Sequence, residues 1–308
     1  MSKTTQIIPE NDEIIVKYLE HYKHSYQSQK TRKSALKYFF SLSQFGYTKH
    51  VFKITTDVLI DYFEYLKNLE TLSLSTKKTK WSLLISFLEY CTEYYHRFNF
   101  IVAIPKKTIN WNGFAHKKPK NNKNIVLTKN ELHTILKYLK LQKFQYYLIF
   151  RVFAETGMRK GELIKLDVSG VNLKNRTLTT IGKTGEKTYY ISKQLAQYLE
   201  IYLEERGLRA TNSNALFISN YGRRYSNRPF NLILKQITKK LGIQKNITCH
   251  TFRKSLNTFR YELGCPDSDL EFLLGHKISI NRDYYVKLSL EQKLELFDRW
   301  DPYQNLSL

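Results

Sequence analysis

One segment near the middle of the chain constrains the fold most, because it interrupts the helical patterns on both sides of it. Residues 105–124 read PKKTINWNGFAHKKPKNNKN, with six lysines, no acidic residue, and Pro, Gly and Asn where a helix cannot continue comfortably. With 308 residues there is room for two domains. The pattern predicts a helical N-terminal domain at 1–104, a basic linker at 105–125 and a second domain at 126–308. The linker is either a solvated loop or a strand that straps the chain onto DNA.

Residues 10–100 carry the periodicity of four amphipathic helices. Apolar residues recur there at three- and four-residue spacing, with Asn11 predicted to cap the first helix and Thr76 to open the last. Such a pattern is typical of a small helical domain. Its exposed face is expected to be rich in basic residues: Lys30, Arg32, Lys33, Lys37, Lys77, Lys78 and Lys80.

The second half mixes helices with a few short strands. Thr128 and Glu131 form a capping box, and a helix from about Phe144 is predicted to end at Gly157. Residues 177–181 and 188–191 are predicted to form a β-hairpin with a basic tip, and 215–219 is a further strand-like run. The fold class expected is mainly α with a small antiparallel β-sheet (α+β).

Charge indicates a polyanionic partner. The chain has 50 Lys+Arg against 27 Asp+Glu, a formal net charge of +23, and 42% hydrophobic residues, enough for real cores. Such a field attracts nucleic acid, although a basic, AT-rich coding background would also produce it. No apolar run approaches the roughly 18 residues of a membrane span, and no secretory signal is evident, so a cytoplasmic protein without membrane contact is expected.

Several cofactor and metal motifs are absent from the sequence. It has no GxxxxGK[ST] loop and no HExxH, and its three cysteines, Cys91, Cys249 and Cys265, lack the close pairing of a zinc module. No cofactor and no metal is therefore expected, and the cysteines are interpreted as reduced core thiols.

A set of cations and one tyrosine remains. Arg159 lies in TGMRKGEL, and His250 and Arg253 stand three apart in CHTFRKSL, a spacing that places both on one helix face. His276 ends LLGH, and Tyr285 follows nine residues later. Taken singly, each motif is more typical of a surface salt bridge or a helix end than of a site.

The order and the intervals of these motifs, taken together, resemble the tyrosine recombinases, also called phage integrases, over nearly the whole chain. TGMRKGELIKL is similar to the family's first box, IGKTGEKTYYIS to its lysine-bearing hairpin, CHTFRKS to its His-x-x-Arg box and LLGH to its second histidine. The helical half resembles the family's core-binding domain. Family spacing selects Tyr285 over Tyr284 as nucleophile and favours Lys183 over Lys187. The resemblance implies a catalytic set: Arg159, Lys183, His250, Arg253, His276 and Tyr285.

Phosphoryl transfer without metal gives these residues physical roles. Arg159 and Arg253 would stabilise charge on the non-bridging phosphate oxygens, with a further hydrogen bond from His276. Ionising a tyrosine of pKa near 10 at pH 7 costs about 4 kcal/mol, so His250 is the candidate base and Lys183 the general acid. Glu162 is interpreted as a structural partner of Arg159.

The resemblance implies a site-specific recombinase acting on double-stranded DNA through a 3′-phosphotyrosine and a Holliday junction. It would be a monomer in solution and a homotetramer on paired recombination sites, serving as an Xer-like resolvase or a mobile-element integrase. The alternatives are a catalytically silent site-specific DNA-binding protein and a type IB topoisomerase-like enzyme. The last helix, near Leu290, either docks on a neighbouring subunit, as expected, or packs on its own domain. A groove-facing segment is expected to carry three arginines: Arg223, Arg224 and Arg228.

Overall fold

The structure is a computed structural model in which the chain forms two units. It describes residues 9–21, 26–42, 44–45, 50–95, 110–112, 125–182, 185–209, 211–275 and 282–304. The chain divides into Met1–Asn121 and Asn122–Leu308, each with its own hydrophobic core. Most of the described residues are helical and one small antiparallel sheet is present, which confirms the predicted fold class. The finer domain limits at 104 and 126 stay a prediction.

The first unit is helical throughout its described part. Thr55 and Ser73 cap the last two of its helices by accepting the backbone N–H groups of Val58 and Thr76. The final helix therefore begins two residues before the Thr76 that the sequence suggested. The helices are α1 (Pro9–His21), α2 (Tyr26–Phe40), α3 (Thr56–Asn68) and α4 (Leu74–Tyr94), with a short 3-10 turn at Val51–Lys53.

Two predictions for this unit are wrong. Asn11 lies inside α1 instead of capping it, and its buried Oδ1 accepts the backbone N–H of Val51 at 2.8 Å. Lys77 is fully buried rather than exposed, with its Nζ donating to the carbonyl of Lys67 at 3.2 Å. Both side chains satisfy backbone groups of a neighbouring segment, and helical periodicity alone carries no information about such partners.

One residue of the predicted linker packs against the core of the first unit. The Trp111 ring packs edge-on against Phe63, with ring centroids 4.9 Å apart, and Lys78 Nζ lies over the Trp111 ring, 5.6 Å from its centroid. Residues 101–109 and 113–124 lie outside the described residues, so the choice between loop and strap stays open.

In the second unit, the start of the first helix and the end of the next lie where the sequence predicted them. Thr128 and Glu131 form the expected capping box at the start of α5 (Lys129–Gln142), which packs against α6 (Phe144–Thr156). Gly157 ends α6 in the left-handed conformation, φ 61°, as expected of a helix-terminating glycine. The chain then enters the short helix α7 (Lys160–Lys165).

A three-stranded antiparallel sheet follows α7. Its strands are β1 (Val171–Asn172), β2 (Thr177–Gly182) and β3 (Gly185–Tyr190), in the order β1-β2-β3. In the hairpin Thr180 pairs with Lys187, and Gly182 with Gly185, so the strands run closer to the tip than predicted. Because opposite residues project to the same face, Thr180 and Lys187 share the face that meets α7.

The remaining helices complete the second unit. The expected strand at 215–219 is absent: the described residues form only isolated bridges, Asp167 with Ala215 and Ile218 with Arg224, since no neighbouring strand continues the pairing. The three cysteines are free and buried, as expected. None of the helices in the described ranges is long and apolar enough to cross a membrane. The helices are α8 (Lys193–Gly207), α9 (Pro229–Lys240), α10 (Cys249–Glu262), α11 (Asp267–Leu273), α12 (Arg282–Lys287) and α13 (Leu290–Arg299).

Candidate active site

The turn between α6 and α7 presents Arg159. A Cβ on Gly157 would come within 2.9 Å of the Leu274 side chain, and its φ of 61° is unfavourable for any residue with a side chain. This glycine lets the chain reverse sharply, so that Arg159 stands at the N-cap of α7 with 51% of its side chain exposed. The guanidinium is therefore accessible to an anion.

Glu162 binds Arg159 from one turn further along α7. Its Oε2 accepts the Arg159 backbone N–H at 2.7 Å and the Tyr189 hydroxyl at 2.7 Å. Its Oε1 lies 3.2 Å from the Arg159 guanidinium and 3.1 Å from Lys187 Nζ. Burial acts to raise the pKa of this carboxyl, but the hydrogen bonds from Arg159, Tyr189 and Lys187 outweigh it and lower that pKa. Glu162 is thus an ionised, buried anchor, as the sequence interpretation held.

Arg253 is fixed more tightly than Arg159. It lies on α10, only 5% exposed, and donates to the carbonyls of Gly157 at 2.6 Å and Leu274 at 3.4 Å. Burial and the neighbouring charge of Arg159 lower the pKa of Arg253, which remains a cation at neutral pH. Two guanidinium groups placed together, one buried and one half exposed, favour a bound anion.

His250 is one helical turn before Arg253 on the same face of α10, as its spacing predicted, and is exposed. Partial burial, followed by the positive charges of Lys254, Arg253 and Arg159, lowers the pKa of its imidazole. A lowered pKa favours the neutral ring, which is the form that accepts a proton.

Tyr285 lies on α12 and is buried. Its ring stacks on Phe272, with centroids 5.0 Å apart, and its hydroxyl donates to Asp269 Oδ1 at 2.5 Å. Burial and this hydrogen bond raise the pKa of Tyr285 to about 12. The described contacts of its hydroxyl therefore lead to Asp269 rather than to Arg159, His250 or Arg253. The adjacent Tyr284 is 60% exposed.

Asp269 also connects Tyr285 to the C-terminal helix. Its Oδ2 accepts the Trp300 indole N–H at 2.8 Å. Phe297 of α13 packs with Leu273 and Tyr190 in a small apolar cluster. In this single chain α13 thus lies on its own unit, which is the second of the two arrangements that the sequence left open. Docking on a neighbouring subunit stays a prediction for the assembly.

Two predicted site residues, Lys183 and His276, lie outside the described residues. The structure does describe Gly182 and Gly275, the residues that directly precede them. Gly182 and Gly185 close the hairpin on either side of 183–184. A Cβ on Gly275, which precedes His276, would come within 3.3 Å of the Tyr189 ring.

The arginines expected in a DNA groove differ in their surroundings. Arg224 donates to the carbonyl of Ile164 in α7 at 2.7 Å and to Asp167, just after α7, at 2.5 Å. Arg223, Arg224 and Arg228 are all exposed. Contact of the three arginines with a DNA groove stays a prediction.

Sequence reasoning missed Tyr189 and Asp269, and it weighed Lys187 only as an alternative to Lys183. Tyr189 and Lys187 both bind Glu162, and their two-residue spacing on a strand was the signal that they share a face. No comparable signal marked Asp269, because an acidic residue near the start of a short helix is ordinarily a solvated one.

Known proteins are similar to this chain in sequence and in fold. Residues 125–291 match the phage integrase family. Tyrosine recombinase XerC of Leptospira interrogans is 23% identical over 274 residues, covering 87% of this chain and 85% of that protein. Tyrosine recombinase XerD of Staphylococcus epidermidis is 31% identical over 151 residues, 48% of this chain and 51% of that protein.

Solved structures of similar fold include two with DNA. The Tn1549 transposon integrase in complex with transposon right end DNA has a TM-score of 0.66 at 14% identity, covering 93% of this chain and 98% of that chain. The XerH site-specific recombinase bound to difH substrate has a TM-score of 0.61 at 18% identity, covering 96% and 88%. At these identities the likeness shows the fold.

Proposed function

Because the chain belongs to the phage integrase family of tyrosine recombinases, as its motifs predicted, we propose that it is a site-specific recombinase that breaks and rejoins duplex DNA through a 3′-phosphotyrosine. The observation that carries this proposal is the placement of the half-exposed Arg159 next to Arg253, which the carbonyls of Gly157 and Leu274 hold, with His250 one helical turn before Arg253. This arrangement suits one scissile phosphate, its developing charge and one proton acceptor.

Charge stabilisation falls to the two arginines. When an oxygen nucleophile attacks a phosphodiester, negative charge grows on the non-bridging oxygens, and fixed donors aimed at those oxygens lower the barrier. Arg253 is held by two backbone carbonyls and Arg159 by Glu162, so neither guanidinium has to reorganise greatly when the phosphate arrives. His276, assigned from its motif, would add a further hydrogen bond.

Two protons must move. The Tyr285 oxygen forms a bond to phosphorus while its proton passes to His250, and the bond to the 5′ oxygen breaks. Lys183, assigned from the hairpin motif, donates the proton which that leaving oxygen takes up. The phosphotyrosine keeps the energy of the phosphodiester bond, so religation to another 5′ hydroxyl would need neither ATP nor a metal.

Tyr285 has to leave Asp269 before it can react. In the described conformation its hydroxyl is buried, bonded to a carboxylate and of raised pKa. A nucleophile must approach phosphorus within about 3–3.5 Å, in line with the leaving oxygen. Strand cleavage thus requires α12 to carry Tyr285 towards the arginines.

Duplex DNA carrying a specific recombination site is the partner that we propose. The net charge of +23 supplies the phosphate attraction. The XerH and Tn1549 integrase structures are complexes of those proteins with DNA. We further propose a helical DNA-binding domain at 1–104, a linker at 105–125 and a catalytic domain at 126–308. A homotetramer on paired sites would exchange strands through a Holliday junction in the cytoplasm.

The test is recovery and sequencing of DNA that stays attached to the protein after denaturation in cells. Wild type, Tyr285→Phe and Tyr284→Phe are compared, the last being the matched control because it removes the neighbouring hydroxyl. Adducts concentrated at one site in wild type and Tyr284→Phe, and absent from Tyr285→Phe, support the proposal. The mapped location also separates a chromosomal resolution site from the end of a mobile element.

Other outcomes point elsewhere. Specific DNA bound without any adduct would identify a silent DNA-binding protein. Adducts scattered over arbitrary sequences, with relaxation of supercoiled plasmid, would identify a topoisomerase-like enzyme. Adducts lost from Tyr284→Phe and kept in Tyr285→Phe would move the nucleophile by one residue.

A further inference from the structure

Two cations share one oxygen of Glu162. The Arg159 guanidinium lies 3.2 Å and Lys187 Nζ 3.1 Å from Oε1, while Oε2 accepts two uncharged donors. The carboxylate side chain is 5% exposed and the Lys187 side chain 9%, whereas that of Arg159 is 51% exposed. Of the two cations, only Arg159 is placed to meet a ligand from solvent.

The sharing of Glu162 Oε1 by a buried Lys187 and an exposed Arg159 has an electrostatic consequence. One carboxylate carries a single negative charge and faces two positive charges, so the group retains a net charge of +1. With Lys187 buried against Oε1, the remaining charge is that of the exposed Arg159 guanidinium. Without Lys187, Glu162 and Arg159 would form a neutral pair, and the attraction of Arg159 for an anion would weaken.

The hairpin is shaped for this contact. Any Cβ on Gly182 would come within 2.9 Å of Lys187 Cε and 3.2 Å of Glu162 Oε1, so a glycine at this position leaves room for the lysine stem. Thr180, opposite Lys187 in the strand register, donates its hydroxyl to the Glu162 carbonyl at 2.9 Å. The lysine is therefore held by its surroundings as well as by its charge.

We propose that Lys187 is a positioning residue, which neutralises Glu162 so that the Arg159 guanidinium keeps its charge for the scissile phosphate. The inference rests on the proposed function. It separates Lys187 from the general acid that the motif assigns to Lys183, although both lysines belong to the same hairpin. Lys187 acts through Glu162 and Arg159 and does not touch the DNA.

The experiment measures single-turnover formation of the covalent adduct, with saturating protein, on three duplexes carrying the mapped site. The first has an ordinary scissile phosphate. The second has a methylphosphonate, which removes one non-bridging charge and with it the demand for a guanidinium. The third has a sulfur in place of the bridging 5′ oxygen, which leaves as a thiolate and needs no proton.

Lys187→Met is compared with Arg159→Ala, Lys187→Arg and Lys174→Met. Lys174 is an exposed lysine of the turn between β1 and β2, so its variant matches the loss of charge without the contact. We expect Lys187→Met to slow cleavage of the ordinary substrate about tenfold, less than Arg159→Ala. Lys187→Arg and Lys174→Met should stay within about twofold of wild type, and thermal unfolding verifies that each variant is folded.

Substrate dependence decides the assignment. On the methylphosphonate, the gap between Lys187→Met and wild type should shrink to less than about twofold, while on the 5′-thio substrate it should persist. Relief on the 5′-thio substrate alone would make Lys187 the proton donor and overturn the proposal. An equal defect on all three substrates, or no defect, would also overturn it. Absence of adduct from wild type would instead contradict the proposed function.

Discussion

Two carboxylates of the candidate site, Glu162 and Asp269, hold their partners in opposite ways. Glu162 accepts hydrogen bonds from Arg159, Lys187 and Tyr189, and it holds Arg159 with the guanidinium half exposed. Asp269 accepts hydrogen bonds from Tyr285 and Trp300, and Tyr285 is buried in this arrangement. In the described conformation Arg159, the proposed phosphate ligand, is therefore accessible, whereas Tyr285, the proposed nucleophile, is buried.

The difference between the two carboxylates indicates that the proposed reaction is controlled at Tyr285 rather than at the arginines. A buried carboxylate beside cations stays ionised and keeps them in place, whereas the same group beside a tyrosine stabilises the neutral phenol. Because Trp300 follows α13 and shares Asp269 with Tyr285, movement of the C-terminal helix would weaken the contact that holds the nucleophile. If the chain assembles on DNA as proposed, a movement of α13 would affect Tyr285 without changing the contacts of Arg159 and Arg253.

The largest effect is expected at Arg253, where the phosphate side is most rigid. Arg253→Lys should lower the rate of adduct formation by roughly 10²- to 10³-fold, because an ammonium group cannot replace both the carbonyl contacts and the phosphate donors. Arg206→Lys is the matched control, since Arg206 also donates to backbone carbonyls, those of Ser213 and Ala215, but belongs to α8. Equal losses of rate in the two variants would mean that Arg253 acts through stability alone.

A smaller effect is expected at the turn that presents Arg159. Gly157→Ala should destabilise the fold by about 1–3 kcal/mol, because the residue has φ 61° and its Cβ would approach Leu274 to 2.9 Å. Gly161→Ala is the control, since no atom lies within 4 Å of its Cβ position and alanine favours a helix. Denaturant unfolding distinguishes them, and equal stabilities would refute the argument for a glycine-dependent turn.

The smallest effect concerns the pH dependence of cleavage. In the proposed mechanism the neutral imidazole of His250 is the active form, so the cleavage rate should fall as pH decreases through its pKa, which burial and three neighbouring cations lower. The acidic limb of the rate profile should have its midpoint below about 6.5. Lys254→Met removes one of those cations and should move the midpoint to higher pH. A wild-type midpoint above 6.5, or a shift in the other direction, would contradict this account of His250.

Local patterns predicted much of the fold and part of the site. The capping box at Thr128, the glycine stop at 157 and the hairpin are set by residues within a few positions of one another, so the sequence contains what determines them. The same holds for His250 and Arg253, whose helical spacing places them on one face.

Long-range partners account for what the sequence could not predict. Lys77 can be buried because the carbonyl of Lys67, ten residues earlier, accepts a hydrogen bond from its Nζ. Residues 215–219 form no strand because no neighbour extends the isolated bridges. The hydrogen bond between Tyr285 and Asp269 joins two helices across 16 residues. Motif spacing predicts Tyr285 as the nucleophile, but the conformation that buries it depends on tertiary packing.

The most direct test of the contrast between the two carboxylates is the rate of adduct formation by Glu162→Gln and Asp269→Asn on one oligonucleotide, at saturating protein. Glu162→Gln should slow cleavage roughly tenfold or more, because it removes the charge that holds Arg159 and Lys187. Asp269→Asn should accelerate it about fivefold, since a neutral acceptor holds the phenol about 1 kcal/mol less strongly. We predict that the two substitutions change the rate of adduct formation in opposite directions. A loss of rate in both variants would contradict the account.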